Sequence, residues 1–183
     1  AIKSYENALA IKHAYPNVHN NLGNIFLELG QLESAAEHFE WAVAYNPEFD
    51  KAHNNLAVTL QGLGRLDAAV ESYKKALAVN PNYTEAHNNL GITFQGLGQL
   101  DAAVESYKKA LAIKPDYANA HNNLGNASKQ LGQLDAAVES YEKALAIKPD
   151  YANAHNNLGI AFKQLGQLDA ALKSYENALA IKP

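Results

Sequence analysis

The stretch His19-Asn20-Asn21-Leu22-Gly23 decides the fold, because close copies of it begin at His53, His87, His121 and His155. Each copy starts 34 residues after the one before it. A fixed period of this length is the mark of a chain built from stacked structural repeats. Units of this kind bury their apolar residues against their neighbours, so we expect one continuous solenoid over the chain.

Proline and glycine divide every unit into two helices. A proline ends each second helix, because its ring cannot continue a helix, and a glycine breaks the middle of each unit. The prolines are Pro47, Pro81, Pro115, Pro149 and Pro183, and the glycines are Gly30, Gly64, Gly98, Gly132 and Gly166. Four second helices are predicted to start at an aspartate that can cap free backbone N–H groups, namely Asp67, Asp101, Asp135 and Asp169. The predicted class is therefore all-α.

The first full unit resembles the tetratricopeptide repeat. The resemblance rests on the series His19, Leu22, Gly23, Phe26, Ala35, Phe39 and Pro47, with histidine where that family usually has a bulky aromatic residue. It extends over the whole chain. It implies a right-handed superhelical solenoid of antiparallel helix pairs, whose concave groove holds other proteins, usually as a peptide or a helix.

The repeats also set the predicted domain boundaries. We expect one solenoid over residues 1–183, with an orphan second helix at 1–15 and repeats at 16–49, 50–83, 84–117, 118–151 and 152–183. Because the chain contains no methionine, even at its start, we expect it to be part of a longer protein. Terminal repeats without a polar cap expose apolar residues, here Leu172, Tyr175 and Leu179, so self-association through the ends is a further prediction.

Composition argues against several kinds of partner. The net charge is −4, from 15 basic and 19 acidic residues, and no basic run could follow a phosphate backbone, so nucleic acid is not a predicted partner. Cysteine is absent, which excludes disulfides and thiolate chemistry. No apolar stretch reaches the roughly 20 residues of a membrane helix, so no membrane partner is predicted and a cytoplasmic location is favoured.

Paired asparagines mark the face predicted to bind a ligand. A helical wheel places Asn122, Asn123, Asn126 and Lys129 opposite the apolar face of their helix. The corresponding set in the other units is Asn20, Asn21, Asn24, Asn54, Asn55, Asn88, Asn89, Asn156, Asn157 and Lys163. An asparagine amide both donates and accepts, so it can hold the backbone of an extended peptide without reading its side chains. The alternative is that these amides bond between adjacent repeats or remain solvated.

The pairs are also similar to the asparagine ladder of protein O-GlcNAc transferases, where the second asparagine of each pair here would contact the ligand. This similarity implies one alternative function, a substrate-recruiting arm of a larger glycosyltransferase. A self-assembly module is the second alternative. Our primary prediction is a scaffold without enzymatic activity that binds an extended peptide or a partner protein.

No set of residues predicts catalysis, a cofactor or a metal site. Histidines such as His53 and His87 recur once per unit on the packing face, about one helix spacing or more apart, which is too far for a shared ion. They are therefore interpreted as packing residues. No nucleophile with a neighbouring base and no paired acid stands out.

Two residues differ from those at the equivalent positions of the other repeats, one predicted at the surface and one in the core. Trp41 stands where other units carry Lys75, Lys109, Lys143 and Asn177. It should face solvent with His38 and Tyr45 one turn away on either side, as a partner-binding patch, or be covered by the orphan helix. Ser128 stands where other units carry Phe26, Leu60, Phe94 and Phe162, and should leave a thin spot in the core.

Overall fold

A computed structural model of the protein describes residues 15–182, which form ten α-helices and no strand. The helices are α1 Pro16–Glu28, α2 Leu32–Tyr45, α3 Asp50–Gly62, α4 Leu66–Val79, α5 Thr84–Gly96, α6 Leu100–Ile113, α7 Ala118–Gln130, α8 Leu134–Ile147, α9 Ala152–Gln164 and α10 Leu168–Ile181. The predicted all-α class and the two helices of each repeat are confirmed. Of the orphan helix predicted at 1–15, all but Tyr15 lies outside the described residues.

The turn inside each repeat depends on one glycine with a positive φ. Gly64 has φ +73°, a left-handed conformation that side chains disfavour. Its N–H donates to the Gln61 carbonyl at 3.0 Å, while the Arg65 N–H reaches back to the Leu60 carbonyl at 2.9 Å. These two bonds satisfy carbonyls that the helix end leaves open, as in a Schellman motif. The same conformation recurs at Gly30, Gly98, Gly132 and Gly166.

The second helices begin one residue earlier than the sequence analysis predicted. They start at Leu66, Leu100, Leu134 and Leu168, and their N-cap residues make no side-chain cap hydrogen bond. The prediction that the aspartates cap these helices is therefore wrong. Each aspartate lies in the first turn, where its negative charge is stabilised by the positive end of the helix dipole.

The two helices of a repeat approach closely at small residues. Ala137 and Tyr141 on α8 are fully buried, and a Cβ added at Gly125 on α7 would lie only 2.6 Å from Tyr141 Cε1. The same arrangement brings Gly23 against Phe39 and Gly159 against Tyr175. A side chain at any of these glycines would displace the aromatic ring, so the missing Cβ permits the close approach.

The chain divides into two compact units, and the boundary between Thr93 and Phe94 falls inside α5. In the first unit, α1 packs on α2, α2 on α3 and α3 on α4. In the second unit, α6 packs on α7, α7 on α8, α8 on α9 and α9 on α10. Packing between successive helices is the pattern expected within a solenoid.

The repeated histidines tie consecutive repeats together. His53 Nε2 lies 2.9 Å from the carbonyl oxygen of Pro47, the proline that follows the preceding second helix. A carbonyl oxygen can only accept, so Nε2 carries the proton and donates it. The same bond joins His87 to Pro81, His121 to Pro115 and His155 to Pro149. The histidines are packing residues with a defined polar contact that the sequence analysis did not predict.

Candidate peptide-binding surface

The first asparagine of each pair is buried wherever a further repeat follows it. Asn20, Asn54, Asn88 and Asn122 all lie in the interior, whereas Asn156 in the last described repeat is exposed. The helical wheel treated one helix at a time and placed these residues on an open face. That placement is wrong for the four buried residues. Asn20 and Asn122 receive hydrogen bonds from Asn55 and Asn157, which lie on the first helix of the next repeat.

The second asparagine of each pair remains partly accessible. Asn55, Asn89, Asn123 and Asn157 are half-buried and Asn21 is exposed. We call these five residues the asparagine ladder. A ligand can therefore reach the ladder residues, as it can the exposed Asn156 and Lys163 of the predicted set.

Ladder asparagines bond to the repeat before their own. Asn55 Nδ2 donates to Asn20 Oδ1 at 3.1 Å and to Asn24 Oδ1 at 3.2 Å. In the second unit, Asn157 Nδ2 donates to Asn122 Oδ1 at 3.1 Å. Bonding between adjacent repeats was the alternative considered from the sequence, and the structure forms it in both units. The amide oxygens of the buried Asn20 and Asn122 thereby gain the partners that burial requires. The buried Oδ1 of Asn54 accepts no hydrogen bond from the described residues.

Other members of the predicted set have different surroundings. Asn126 Oδ1 accepts a hydrogen bond from the Tyr141 hydroxyl at 2.8 Å, and Asn89 Oδ1 accepts one from Asn88 Nδ2 at 3.3 Å. Lys129 is half-buried, and this burial lowers the pKa of its ammonium group. Lys163 is exposed. The two lysines therefore differ in how strongly water stabilises their charge.

Two glutamines near the ladder were not singled out from the sequence. Gln61 Oε1 accepts from the Tyr73 hydroxyl and from Thr93 Oγ1, each at 3.2 Å. Gln95 Oε1 accepts from the Tyr107 hydroxyl at 3.0 Å. The available signal was that glutamine occupies the same position in two units, where the next two units carry lysine.

The structure brings the predicted aromatic residues together in one group. The rings of Trp41 and Tyr45 stack with centroids 5.8 Å apart, and Trp41 is 47% exposed. His19 lies 5.4 Å from His38, 6.3 Å from Trp41 and 5.7 Å from Tyr45, between their ring centroids. Phe26 stacks on His38 at 5.2 Å. We call these five residues the aromatic cluster. His19 and Phe26 were interpreted only as core residues of the first repeat.

The second helices carry exposed lysine–glutamate ion pairs that include no ladder residue. Lys74, Lys109 and Lys143 bind Glu71, Glu105 and Glu139 at 2.7–2.8 Å. The hydrogen bond from the lysine lowers the pKa of each carboxylate. These exposed pairs contribute little stability and serve below as control positions.

Within residues 15–182, no three side chains of the metal-binding types gather at one place. None of the helices described there is long and apolar enough to cross a membrane.

Family models match along the chain. One described as "TPR repeat" matches residues 1–30, 23–64, 62–98, 96–132 and 125–166, and one described as "Tetratricopeptide repeat" matches residues 152–183. No curated protein matches the sequence.

Several solved structures are similar to this chain. MamA, known from a crystal structure, is 27% identical in sequence to this chain. The match covers 88% of this chain and 94% of that chain, with a TM-score of 0.83. MamA from Desulfovibrio magneticus RS-1 is 21% identical over 91% of this chain and 94% of that chain, with a TM-score of 0.85. YrrB, titled a TPR protein with an unusual peptide-binding site, is 19% identical over 100% of this chain and 94% of that chain, with a TM-score of 0.82. Together with models that span residues 1–183, these likenesses show that the chain belongs to the tetratricopeptide-repeat family and has its all-α solenoid fold.

Proposed function

We propose that this protein is a non-catalytic scaffold whose asparagine ladder binds the backbone of an extended peptide segment from a partner protein. The proposal rests on which hydrogen-bonding groups of the Asn55 amide are already used within the protein. Both of its N–H donors are directed to Asn20 and Asn24, while no hydrogen bond among the described residues is donated to its Oδ1. That oxygen is half-buried and keeps its acceptor capacity.

The geometry of the amides favours one kind of ligand group. Because Asn55 directs its donors inward, its contribution to a ligand is an acceptor for a peptide N–H. Within each unit, the first helices of adjacent repeats lie roughly 8–10 Å apart, and an extended chain rises about 3.3 Å per residue. One ladder asparagine would therefore contact about every third ligand residue. Because these contacts are to the backbone, the side chains of the ligand would contribute little to recognition.

The lysines beside the ladder add a charge preference in the second unit. A ligand carboxylate near Lys129 would favour the charged form of its half-buried ammonium. Lys163, one repeat later, is exposed and contributes a weaker, salt-sensitive attraction. We infer that preferred ligands carry an acidic residue at the part of the peptide that meets the fourth and fifth repeats.

Selection from a library of random 12-residue peptides displayed on phage tests this proposal without a known partner. A selected peptide is then titrated into the ¹⁵N-labelled 183-residue chain and followed by NMR. We expect saturable shifts of the side-chain amide signals of Asn55, Asn89, Asn123 or Asn157. The amide signals of Lys74, Lys109 and Lys143 should remain unchanged. Shifts confined to those control positions, or selection that yields no binding peptide, would contradict the proposal.

The aromatic cluster supports a second contact surface. Trp41 and Tyr45 are exposed at 47% and 39%, and exposed aromatic residues of this kind often provide much of the binding energy at protein interfaces. Trp41 is the single tryptophan of the chain, so its fluorescence reports on this surface alone. A partner that docks on the cluster should shift the emission maximum of Trp41 to shorter wavelength. An unchanged spectrum at saturation would remove the cluster from the interface.

Association between copies is supported by one exposed apolar face. Leu168, Leu172 and Leu179 on α10 are 65%, 59% and 64% exposed, as the sequence analysis predicted for Leu172 and Leu179. Exposed leucines on one helix favour contact with another molecule. We expect light scattering on the 183-residue chain to show a mass that rises with concentration in the micromolar range. A constant monomer mass would exclude this activity for the chain.

A further inference from the structure

One position on the packing face of the first helices holds a small polar residue in the fourth repeat and a large apolar residue in the other repeats. Its occupants elsewhere are large and apolar, namely Phe26, Leu60, Phe94 and Phe162. Phe94 and Phe162 pack against the buried clusters around Tyr107 and Tyr141. Ser128 takes this position on α7 and is itself 4% exposed. A buried serine cannot fill the volume of a phenyl ring, which leaves unfilled space beside it.

A cleft of about 490 Å³ opens at Ser128, inside the second unit. Its floor is formed by α7, with His121, Leu124 and Ser128. Its walls are the neighbouring second helices α6 and α8, which include Val104, Leu111 and Ala136. The cleft reaches the place where the sequence predicts a thin spot in the core.

The counterpart cleft in the first unit shows what the serine changes. That cleft lies between α2 and α4 over His53 and Leu56, the residues equivalent to His121 and Leu124. Leu60, the residue equivalent to Ser128, does not line it. The counterpart cleft is the larger of the two at about 620 Å³, and only the cleft in the fourth repeat reaches this position.

The lining suits an aromatic ring with one polar group. Val104, Leu111, Leu124 and Ala136 provide apolar walls, and the Ser128 hydroxyl and the Gln133 amide provide hydrogen-bonding groups. The cleft is also lined by the charged residues Lys108, Glu139 and Lys143. A closed apolar cavity of roughly 150 Å³ is enough for benzene, and small-molecule sites usually measure about 300–1,000 Å³. The cleft lies in the second range, so a single substituted ring fits with room for its polar group.

We propose that this cleft is a binding site for a small phenol-class molecule, whose ring takes the place of the missing phenylalanine ring and whose hydroxyl meets Ser128 Oγ. Four of the five repeats supply a large apolar side chain at this place from their own sequence. The fourth repeat leaves the place open for a ring from solution. The site lies between the second helices and is separate from the asparagine ladder, so it adds a ligand-binding activity to the scaffold function.

Titration of p-cresol into the ¹⁵N-labelled 183-residue chain tests the proposal. We expect saturable NMR shifts at Leu124, Ser128 and Ala136, and a melting temperature that rises with p-cresol concentration. Ser128→Phe fills the cleft with the chain's own residue, so it should raise the melting temperature without ligand and weaken p-cresol binding at least tenfold. Ser128→Ala removes only the hydroxyl and should weaken binding by a smaller factor than Ser128→Phe.

Three results would overturn the proposal. They are shifts that never saturate, shifts located away from the cleft, and unchanged binding in Ser128→Phe. If Ser128→Phe does not fold, Ser128→Leu serves in its place, because leucine stands at the equivalent position 60. Ser128→Leu that binds p-cresol as tightly as the unchanged chain would equally contradict it.

Discussion

Tyrosine hydroxyls show how one substitution depends on another within a repeat. Tyr73 and Tyr107 donate to Gln61 and Gln95 on the preceding first helix. In the fourth repeat the glutamine position holds Lys129, which can only donate. Tyr141 donates instead to Asn126 Oδ1 at 2.8 Å, one helical turn earlier, where the second and third repeats carry Val58 and Ile92. Asn126 therefore has a structural role that its place on the predicted ligand face did not suggest.

Asn126→Ile should destabilise the protein by about 1–3 kcal/mol, because it leaves the buried Tyr141 hydroxyl without an acceptor. Asn126→Ile combined with Lys129→Gln recreates the residues of the third repeat, Ile92 and Gln95, and should recover most of the loss. Urea unfolding of the two single variants and the double variant measures the coupling. If Asn126→Ile is equally stable with and without Lys129→Gln, a glutamine at position 129 does not accept the Tyr141 hydrogen bond as Gln95 accepts that of Tyr107.

At the scale of the element, the helix ends follow from backbone conformation more than from capping side chains. The turn at Gly64 needs a left-handed residue, and nothing lies within 4 Å of a Cβ added there. Gly62, two residues earlier, ends α3 with a helical conformation. A Cβ added at Gly62 would meet only Leu32 Cδ1 at 3.3 Å, at the flexible end of a side chain. The two glycines separate the effect of backbone conformation from that of steric space.

Gly64→Ala should lower the free energy of unfolding by about 1–2 kcal/mol, the cost of placing a side chain in the left-handed region. Gly62→Ala, the matched control, should be neutral or stabilise by up to about 1 kcal/mol, because alanine favours a helix over glycine. Thermal unfolding followed by circular dichroism compares the two. A loss of similar size in both variants would contradict the role assigned to the φ of Gly64.

Features that depend on one repeat alone were predicted from the sequence. Those that depend on two were missed or, like the bonds between asparagines of adjacent repeats, were left as an alternative. The helix pairs and the glycine turns follow from a pattern that repeats within each unit. The burial of Asn54 and the bond from His53 to Pro47 require knowing which surface of the next repeat covers which residue. A helical wheel holds no such information. The aspartate starts were wrong for a different reason, because helix ends vary by one or two residues around any cap signal.

At the scale of the whole molecule, three buried tyrosines make stability sensitive to alkaline pH. Burial raises the pKa of Tyr73, Tyr107 and Tyr141 well above the ordinary value near 10. In the unfolded chain these hydroxyls ionise near pH 10, whereas in the folded protein they keep their protons to higher pH. Their contribution is therefore fully present below about pH 10 and is lost as pH rises toward the folded pKa.

We expect the free energy of unfolding to fall above about pH 10, with a limit of about 1.4 kcal/mol per pH unit for each tyrosine. Urea unfolding at a series of pH values from 8 to 11 measures the slope. The control is Tyr141→Phe, which removes one buried hydroxyl and should therefore reduce the slope. An identical slope in that variant would assign the alkaline loss to other groups.

In the proposed function, the second asparagine of each pair holds the backbone of a bound peptide. The most direct test is isothermal titration of a phage-selected 12-residue peptide into two variants of the 183-residue chain, Asn55→Ala/Asn89→Ala and Asn123→Ala/Asn157→Ala. A third variant, Lys109→Ala/Lys143→Ala, serves as the control, and circular dichroism at the titration temperature checks that all three are folded. Each lost hydrogen bond is worth about 0.5–1.5 kcal/mol, so at least one asparagine variant should bind about tenfold more weakly, with the control unchanged. Affinity that is the same in all three variants and the unchanged chain would contradict the claim.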